Sequence, residues 1–234
     1  EAAAAAERVG IVLIPGMEIS TVLEHRSVHL LAYFIDPAHP PLVAQLDRIL
    51  AGREGRVPQI VERLQGEGID ITVDDVARAA GDAVAAGRPH VADALTTLGV
   101  VADRTEAFER FLTPGRPAFV NRYAAPLIEM IGLVSQAGGV SVVAHPWGRG
   151  SRGVLDAPRL ESLRDAGLAG IEVDHEDHDE SARATLRGIA GDLGLVVTGS
   201  SDHHGVGKVG HDLGINTTAP EEYARLVELA ASPS

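Results

Sequence analysis

The sequence predicts an α/β fold carrying an inserted all-helical segment. Three observations lead there. From Gly139 onward short apolar runs alternate with helical stretches, the chain opens on a helical run followed by an apolar one, and the stretch from about Asp36 to Gly115 has helical periodicity with no convincing strand. With 234 residues, 45% of them hydrophobic, the chain can bury a full core and lies within the range of one α/β domain.

Taken in order, EAAAAAERVG reads as the back half of a helix closed by Gly10, and the run from Ile11 to Ile14 as a buried strand. The helix has neither an initiator Met nor an N-cap, so an upstream strand and helix are expected outside this sequence. Leu42 to Leu50 and Val57 to Leu64 then carry amphipathic helical spacing. Thr72 with Asp75, Pro89 ahead of a run ending at Gly99, and Asp103 with Glu106 mark further helix starts. The expected limits are 36–115 for the helical insertion and 1–35 with 116–234 for the α/β body. Pro126 suits the first position of a helix ending near Gly138. The apolar runs GVSVVA, GIEV and LVVTG alternate with helices near Pro158 to Ala166 and Glu180 to Leu193, the pattern of parallel βαβ units. Thr218 with Glu221 three residues on offers a capping box for a last helix.

Composition narrows the function. With 33 acidic and 20 basic residues the net charge is −13, which argues against duplex DNA held on a broad basic surface. A small phosphorylated substrate stays compatible, because metal ions draw phosphate in locally. There is no cysteine, so no disulfide framework and no thiolate site; any metal must rest on His, Asp and Glu. No run of 18 apolar residues and no signal-like segment occurs, so neither membrane insertion nor secretion is expected, and a cytoplasmic address follows. Oligomeric state is not readable. P-loop, dinucleotide GxGxxG and GxSxG motifs are absent.

Ten histidines are placed unevenly. His145 follows GVSVVA and so stands at the carboxyl end of an expected parallel strand, where barrel and open-sheet enzymes keep their sites. Asp202 and His204 follow LVVTG in the same way, and their i, i+2 spacing in extended backbone aims both to one side, a plausible metal pair; the alternative is a turn cap beside an exposed histidine. Glu18, beyond the first apolar run, is either a solvated carboxylate or a group at the same face. His29, within VHLLAYFI, is either a core histidine or a ligand, and the sequence does not choose. The cluster DHEDHDE, 174 to 180, reads mostly as acidic helix-start chemistry, with Asp174 or His175 as groups that could line the site. Arg88, His90, Arg122, Arg149 and Lys208 are candidate phosphate contacts, each individually weak.

With these segments in view, the chain resembles the PHP family, named for polymerase-associated and histidinol phosphatase domains, and within it the stand-alone nucleotide phosphoesterases with a helical insertion. The matching segments are GMEIS, VHLLAY, GRPHVADAL, GGVSVVAHP, GIEV and GSSDHHG, spread over essentially the whole chain. The resemblance implies a distorted (β/α)7 barrel holding three divalent ions, manganese by preference with iron or zinc accommodated. It makes Glu18 a metal bridge and His29, His145, Asp202 and His204 further ligands, with Glu18, His145 and Asp202 at the catalytic centre. It gives Arg88 and His90 of the insertion to the substrate. The family's His-x-His and Asp-His ligand pairs are not found here and are expected in the upstream segment, and His203 stands where the family commonly has an aromatic residue. The implied activity is hydrolysis of nucleotide phosphates, above all the 3′-phosphate of nucleoside 3′,5′-bisphosphates, with the 5′ end of short phosphorylated single-stranded RNA as a second substrate. Histidinol-phosphate phosphatase and a catalytically silent binding module are the alternatives.

Overall fold

The computed structural model describes residues 1–81, 83, 86–121, 123–203 and 210–231, apart from the side chains of 53, 54 and 149–151. In chain order the elements begin with α1 (Ala2–Val9), β1 (Gly16–Leu23), β2 (Arg26–Tyr33), α2 (Pro40–Glu54) and α3 (Arg56–Gly66). There follow α4 (Val73–Ala80), α5 (Arg88–Thr97), α6 (Arg104–Ala107), a π-helical turn (Phe108–Leu112), β3 (Ala125–Pro126) and α7 (Leu127–Gln136). The last third holds β4 (Val140–Val143), a 3-10 segment (Gly148–Gly153), α8 (Ala157–Asp165), β5 (Gly170–Asp174), α9 (Glu180–Leu193), β6 (Val196–Gly199) and α10 (Pro220–Ala231). Two compact units result: Glu1–Val43 with Ala125–Ser234, and Ala44–Ala124. No described helix is long and apolar enough to cross a membrane.

The first unit is built on a six-stranded sheet of order β3-β1-β2-β4-β5-β6. β4, β5 and β6 are parallel neighbours, as the alternating pattern predicts. Every residue of β4 is buried, as befits a strand covered on both faces. On one side Val140, Val142 and Val196 pack with Leu226 of α10. Gly170 lets β5 lie close to β6, since a Cβ there would stand 2.5 Å from the carbonyl oxygen of Val196.

The sheet is mixed rather than parallel throughout. β1 and β2 form an antiparallel hairpin, and β2 pairs antiparallel with β4. The hairpin closes on Glu24 and His25, both left-handed at φ 48° and 65°, the two-residue turn whose twist suits a β-ribbon. Because neither residue is Gly or Asn, the usual sequence signal for such a turn is missing. The strand expected over Ile11–Ile14 is displaced to Gly16–Leu23: Ile11 and Val12 are 65% and 80% exposed, whereas Ile19, Thr21 and Leu23 alternate inward. Pairing settles where alternate residues reach the core, and Pro15, which has no N–H to give a ladder, precedes the change. Thr218, expected as a helix cap, instead bonds its hydroxyl to the N–H and the carbonyl of Gly199, holding the end of β6.

The second unit is helical. Ile60 and Leu64 of α3, Ile71, Val76 of α4 and Leu95 of α5 are fully buried in one apolar cluster. Its helix starts follow the sequence signals. Thr72 and Asp75 make the reciprocal capping box, and Asp103 accepts from the Glu106 N–H.

Candidate metal centre

Six titratable side chains of the first unit come together at the sheet. Glu18 and His29 face the same side of the β1/β2 hairpin, diagonal to one another because Glu18 pairs with Leu31 and Ser20 with His29. The Glu18 carboxylate contacts His29 Nδ1. Ala144 donates its N–H to the His29 carbonyl at 3.0 Å, which fixes the end of β4 beside β2 and sets the His145 ring 5.2 Å from that of His29. Donor atoms of Glu18, His29 and His145 all lie within 4.8 Å of one another, the spacing of groups around a single divalent cation. The hydrogen bond from His29 holds the Glu18 carboxyl below its ordinary range against the opposing effect of burial, so an anion faces two imidazoles.

Beside this trio, the His145 ring lies 4.9 Å from that of His175, which lies 5.7 Å from that of His211. His175, Asp202 and His211 form a second group with donors equally close. The two histidines differ in what they offer. His211 gives its Nδ1 hydrogen to the Ser201 carbonyl at 2.9 Å, which leaves Nε2 as a lone-pair donor. His175 accepts the Asp177 N–H at Nδ1 (3.0 Å), so its Nε2 carries the hydrogen and points it at Asp202 Oδ2, 3.4 Å away. In that tautomer His175 points its hydrogen at Asp202, which leaves Asp202 and His211 as the group's candidate metal-binding side chains. Burial pushes the His175 imidazole down, in keeping with a neutral ring.

Both strand-end candidates sit in unusual backbone. His145 has φ 30° and Asp202 φ 46°, the left-handed region that costs a non-glycine residue about 1 kcal/mol or more. The extended geometry expected at Asp202 is therefore replaced by a left-handed turn, which Asp tolerates better than most residues. Trp147, two residues beyond His145, is pinned by His178: its N–H donates to His178 Nε2 at 3.1 Å, while His178 Nδ1 donates to the Val173 carbonyl. The DHEDHDE cluster is thus divided in its tasks. Asp179 caps α9 as expected, Asp174 pairs with Arg187, His178 holds the loop after β4, and His175 enters the site.

Between the two strand ends stands Glu172 of β5, only 2% exposed. It accepts the His145 N–H at 3.0 Å and the Ser200 hydroxyl. Burial pushes its carboxyl up to about 7 against those two hydrogen bonds, with Asp202 and Glu18 acting in the same upward direction. A group whose pKa is higher in the folded than in the unfolded chain stabilises fully below the unfolded value and loses that contribution as pH rises through the folded one. In metal-stripped protein, the stability of wild type relative to Glu172→Gln is therefore expected to fall by up to about 3 kcal/mol between the ordinary glutamate value of 4.5 and about pH 7. Urea unfolding at stepped pH checks this; a flat difference contradicts it.

No protein-family model matches the chain. It is 36% identical over 223 residues, 94% of its own length and 77% of the relative's, to a 3′,5′-nucleoside bisphosphate phosphatase of Chromobacterium violaceum. A 5′-3′ exoribonuclease of Haemophilus influenzae is 33% identical over 204 residues, 87% of this chain and 74% of the relative. Among solved structures, a metal-dependent phosphoesterase of Bifidobacterium adolescentis superposes with TM-score 0.85 at 35% identity, covering 97% of this chain and 79% of that one. The chain belongs to the PHP-type metal-dependent phosphoesterases. An amidohydrolase of C. violaceum with bound sulfate has the same architecture, with TM-score 0.79 at 33% identity, covering 96% of this chain and 81% of that one.

In this phosphoesterase the expected ligands Glu18, His29, His145 and Asp202 come together, whereas His204 lies outside the described residues. Arg122 and Lys208 lie outside them too, as does the side chain of Arg149. Arg88 and His90 belong to the helical unit. There the Arg88 guanidinium donates to the Leu112 carbonyl and lies over the rings of Phe108 and Phe119, while His90 Nδ1 accepts the Gly87 N–H at the start of α5. His211 is the site residue that sequence reasoning missed. It follows no strand, and its one local signal is the run of glycines and histidines around it. Glu172 was legible only as part of an apolar strand.

Proposed function

We propose that this phosphoesterase hydrolyses nucleotide phosphates, taking the 3′-phosphate of nucleoside 3′,5′-bisphosphates first and the 5′ end of short phosphorylated single-stranded RNA second, in the cytoplasm and without use of duplex DNA. The observation that carries the reading is the convergence of Glu18, His29 and His145 with Asp202 and His211 on one contiguous patch of the sheet. Three divalent ions, manganese by preference, are the proposed complement, with His204 as a further ligand. When bound they supply Lewis acidity toward phosphate and lower the pKa of attacking water. The chain's own groups do the rest. Glu18 presents an anionic carboxylate between the histidines, His29 and His145 converge on it from neighbouring strands, and His175 directs Asp202 through its Nε2 hydrogen. Arg88, His90, Arg122 and Lys208 are the proposed phosphate contacts, Arg being suited to bidentate binding. The relatives' names, a nucleoside bisphosphate phosphatase and an exoribonuclease, support a nucleotide substrate.

Phosphate release with Mn²⁺ from adenosine 3′,5′-bisphosphate, a 5′-phosphorylated oligoribonucleotide and histidinol phosphate tests the choice. The bisphosphate is expected to have the highest kcat/KM, by at least about tenfold, a difference of about 1.4 kcal/mol in transition-state binding. Preference for histidinol phosphate, or no turnover on any of the three, refutes the reading.

A further inference from the structure

Two metal-ligating residues adopt left-handed backbone, His145 after β4 and Asp202 after β6, and both turns are tied to the strand that lies between them. On β5, Glu172 accepts the N–H of His145 at 3.0 Å. It also accepts the hydroxyl of Ser200, and the same Ser200 oxygen accepts the N–H of Asp202 at 3.2 Å. One carboxylate, 2% exposed, thus holds the main-chain N–H of one ligand directly and that of the other through a single hydroxyl. A side chain attached to a regular strand has little freedom of its own, and Glu172 stands in register opposite Thr198, two residues before Ser200.

We infer that Glu172 is a positioning residue for the metal centre, holding His145 and Asp202 in their left-handed turns through backbone N–H groups, with Ser200 as its second arm. A glutamate suits the role because its two carboxyl oxygens can take an amide and a hydroxyl at once. Glutamine accepts one of these bonds and turns a donor toward Ser200. Partners that orient first ligands in this way typically change metal affinity by about 10-fold to 100-fold when removed. The inference rests on the metal centre described above and is independent of which phosphate ester is cleaved.

The test is Mn²⁺ binding to the intact protein, measured calorimetrically without substrate, for Ser200→Ala, Ser200→Thr, Glu172→Gln and the Glu172→Gln/Ser200→Ala double variant. Ser200→Ala is expected to weaken Mn²⁺ binding about 10-fold and Glu172→Gln at least as much. Ser200→Thr keeps the hydroxyl and is expected to retain wild-type affinity. The double variant is expected to bind no more weakly than Glu172→Gln, because both changes cut one chain of contacts. Wild-type affinity in Ser200→Ala overturns the inference, as does a double variant whose losses multiply; either outcome makes Glu172 a direct ligand or a plain core residue. Should Glu172→Gln fail to fold, the Ser200→Ala and Ser200→Thr pair decides alone. Wild-type protein that binds no Mn²⁺ overturns the metal centre and this inference together. Protein that binds Mn²⁺ as expected but releases no phosphate from nucleotides overturns only the proposed substrate.

Discussion

Asp202→Asn is expected to lower phosphate release from adenosine 3′,5′-bisphosphate by at least about a thousandfold, equivalent to about 4 kcal/mol of lost transition-state stabilisation. Asp202 contributes a carboxylate at the end of β6, in contact with His175 and grouped with His211. Removing its charge takes away the anionic donor of that group and leaves the His211 Nε2 beside a neutral amide to face a divalent cation. Asn is the informative choice because the backbone here is left-handed, at φ 46°. Asn tolerates that conformation nearly as well as Asp, whereas Ala adds a backbone penalty to the chemical one. Asp202→Ala is expected to be as inactive and less stable. Steady-state phosphate release with Mn²⁺, beside circular dichroism to confirm folding, measures the effect; more than about one per cent of wild-type kcat/KM in a folded Asn variant removes Asp202 from the centre.

Stripping divalent ions with a chelator is expected to abolish turnover and lower the melting temperature by roughly 10 °C, with both restored by Mn²⁺. Asp202 acts to raise the carboxyl pKa of both Glu18 and Glu172, and Glu18 that of Glu172. A bound cation turns that mutual repulsion into attraction. Ions that bind only the folded chain stabilise it by about 4 kcal/mol when present at a thousand times their dissociation constant. In a chain of this size that corresponds to the stated shift. Differential scanning fluorimetry with chelator, and with Mn²⁺, Zn²⁺ and Fe²⁺ added back in turn, reads the effect and ranks the ions. A melting temperature unmoved by the chelator contradicts a centre built from these residues. In Asp202→Asn the metal-dependent part of the shift should shrink.

Much of this centre was legible before the fold was known, for reasons visible in particular residues. β4, β5 and β6 are short apolar runs buried on both faces, and α8 and α9 follow Asp156 and Asp179, whose side chains cap them. Local capping and burial set such elements, so their pattern survives in one dimension. His145 and Asp202 could be singled out because they directly follow those runs. The hairpin of β1 and β2 was not legible as such, since Glu24 and His25 take left-handed conformations that neither residue advertises. Nor was the fate of Ile11–Ile14, an apolar run that stays exposed because pairing begins at Gly16.

The sequence by itself determined the α/β class, the helical segment, the restriction of any metal donors to nitrogen and oxygen, and the strand ends at which His145 and Asp202 stand. These depend on residue type and on spacing within one element. Only the tertiary structure decided that Glu18 meets His29 across a hairpin, that His211 joins Asp202, that His175 offers a hydrogen rather than a lone pair, and that Glu172 accepts the His145 N–H and the Ser200 hydroxyl at once. Each of these depends on a hydrogen bond or a contact between different segments, and such partners are chosen by strand register and packing, which no local pattern of residues encodes.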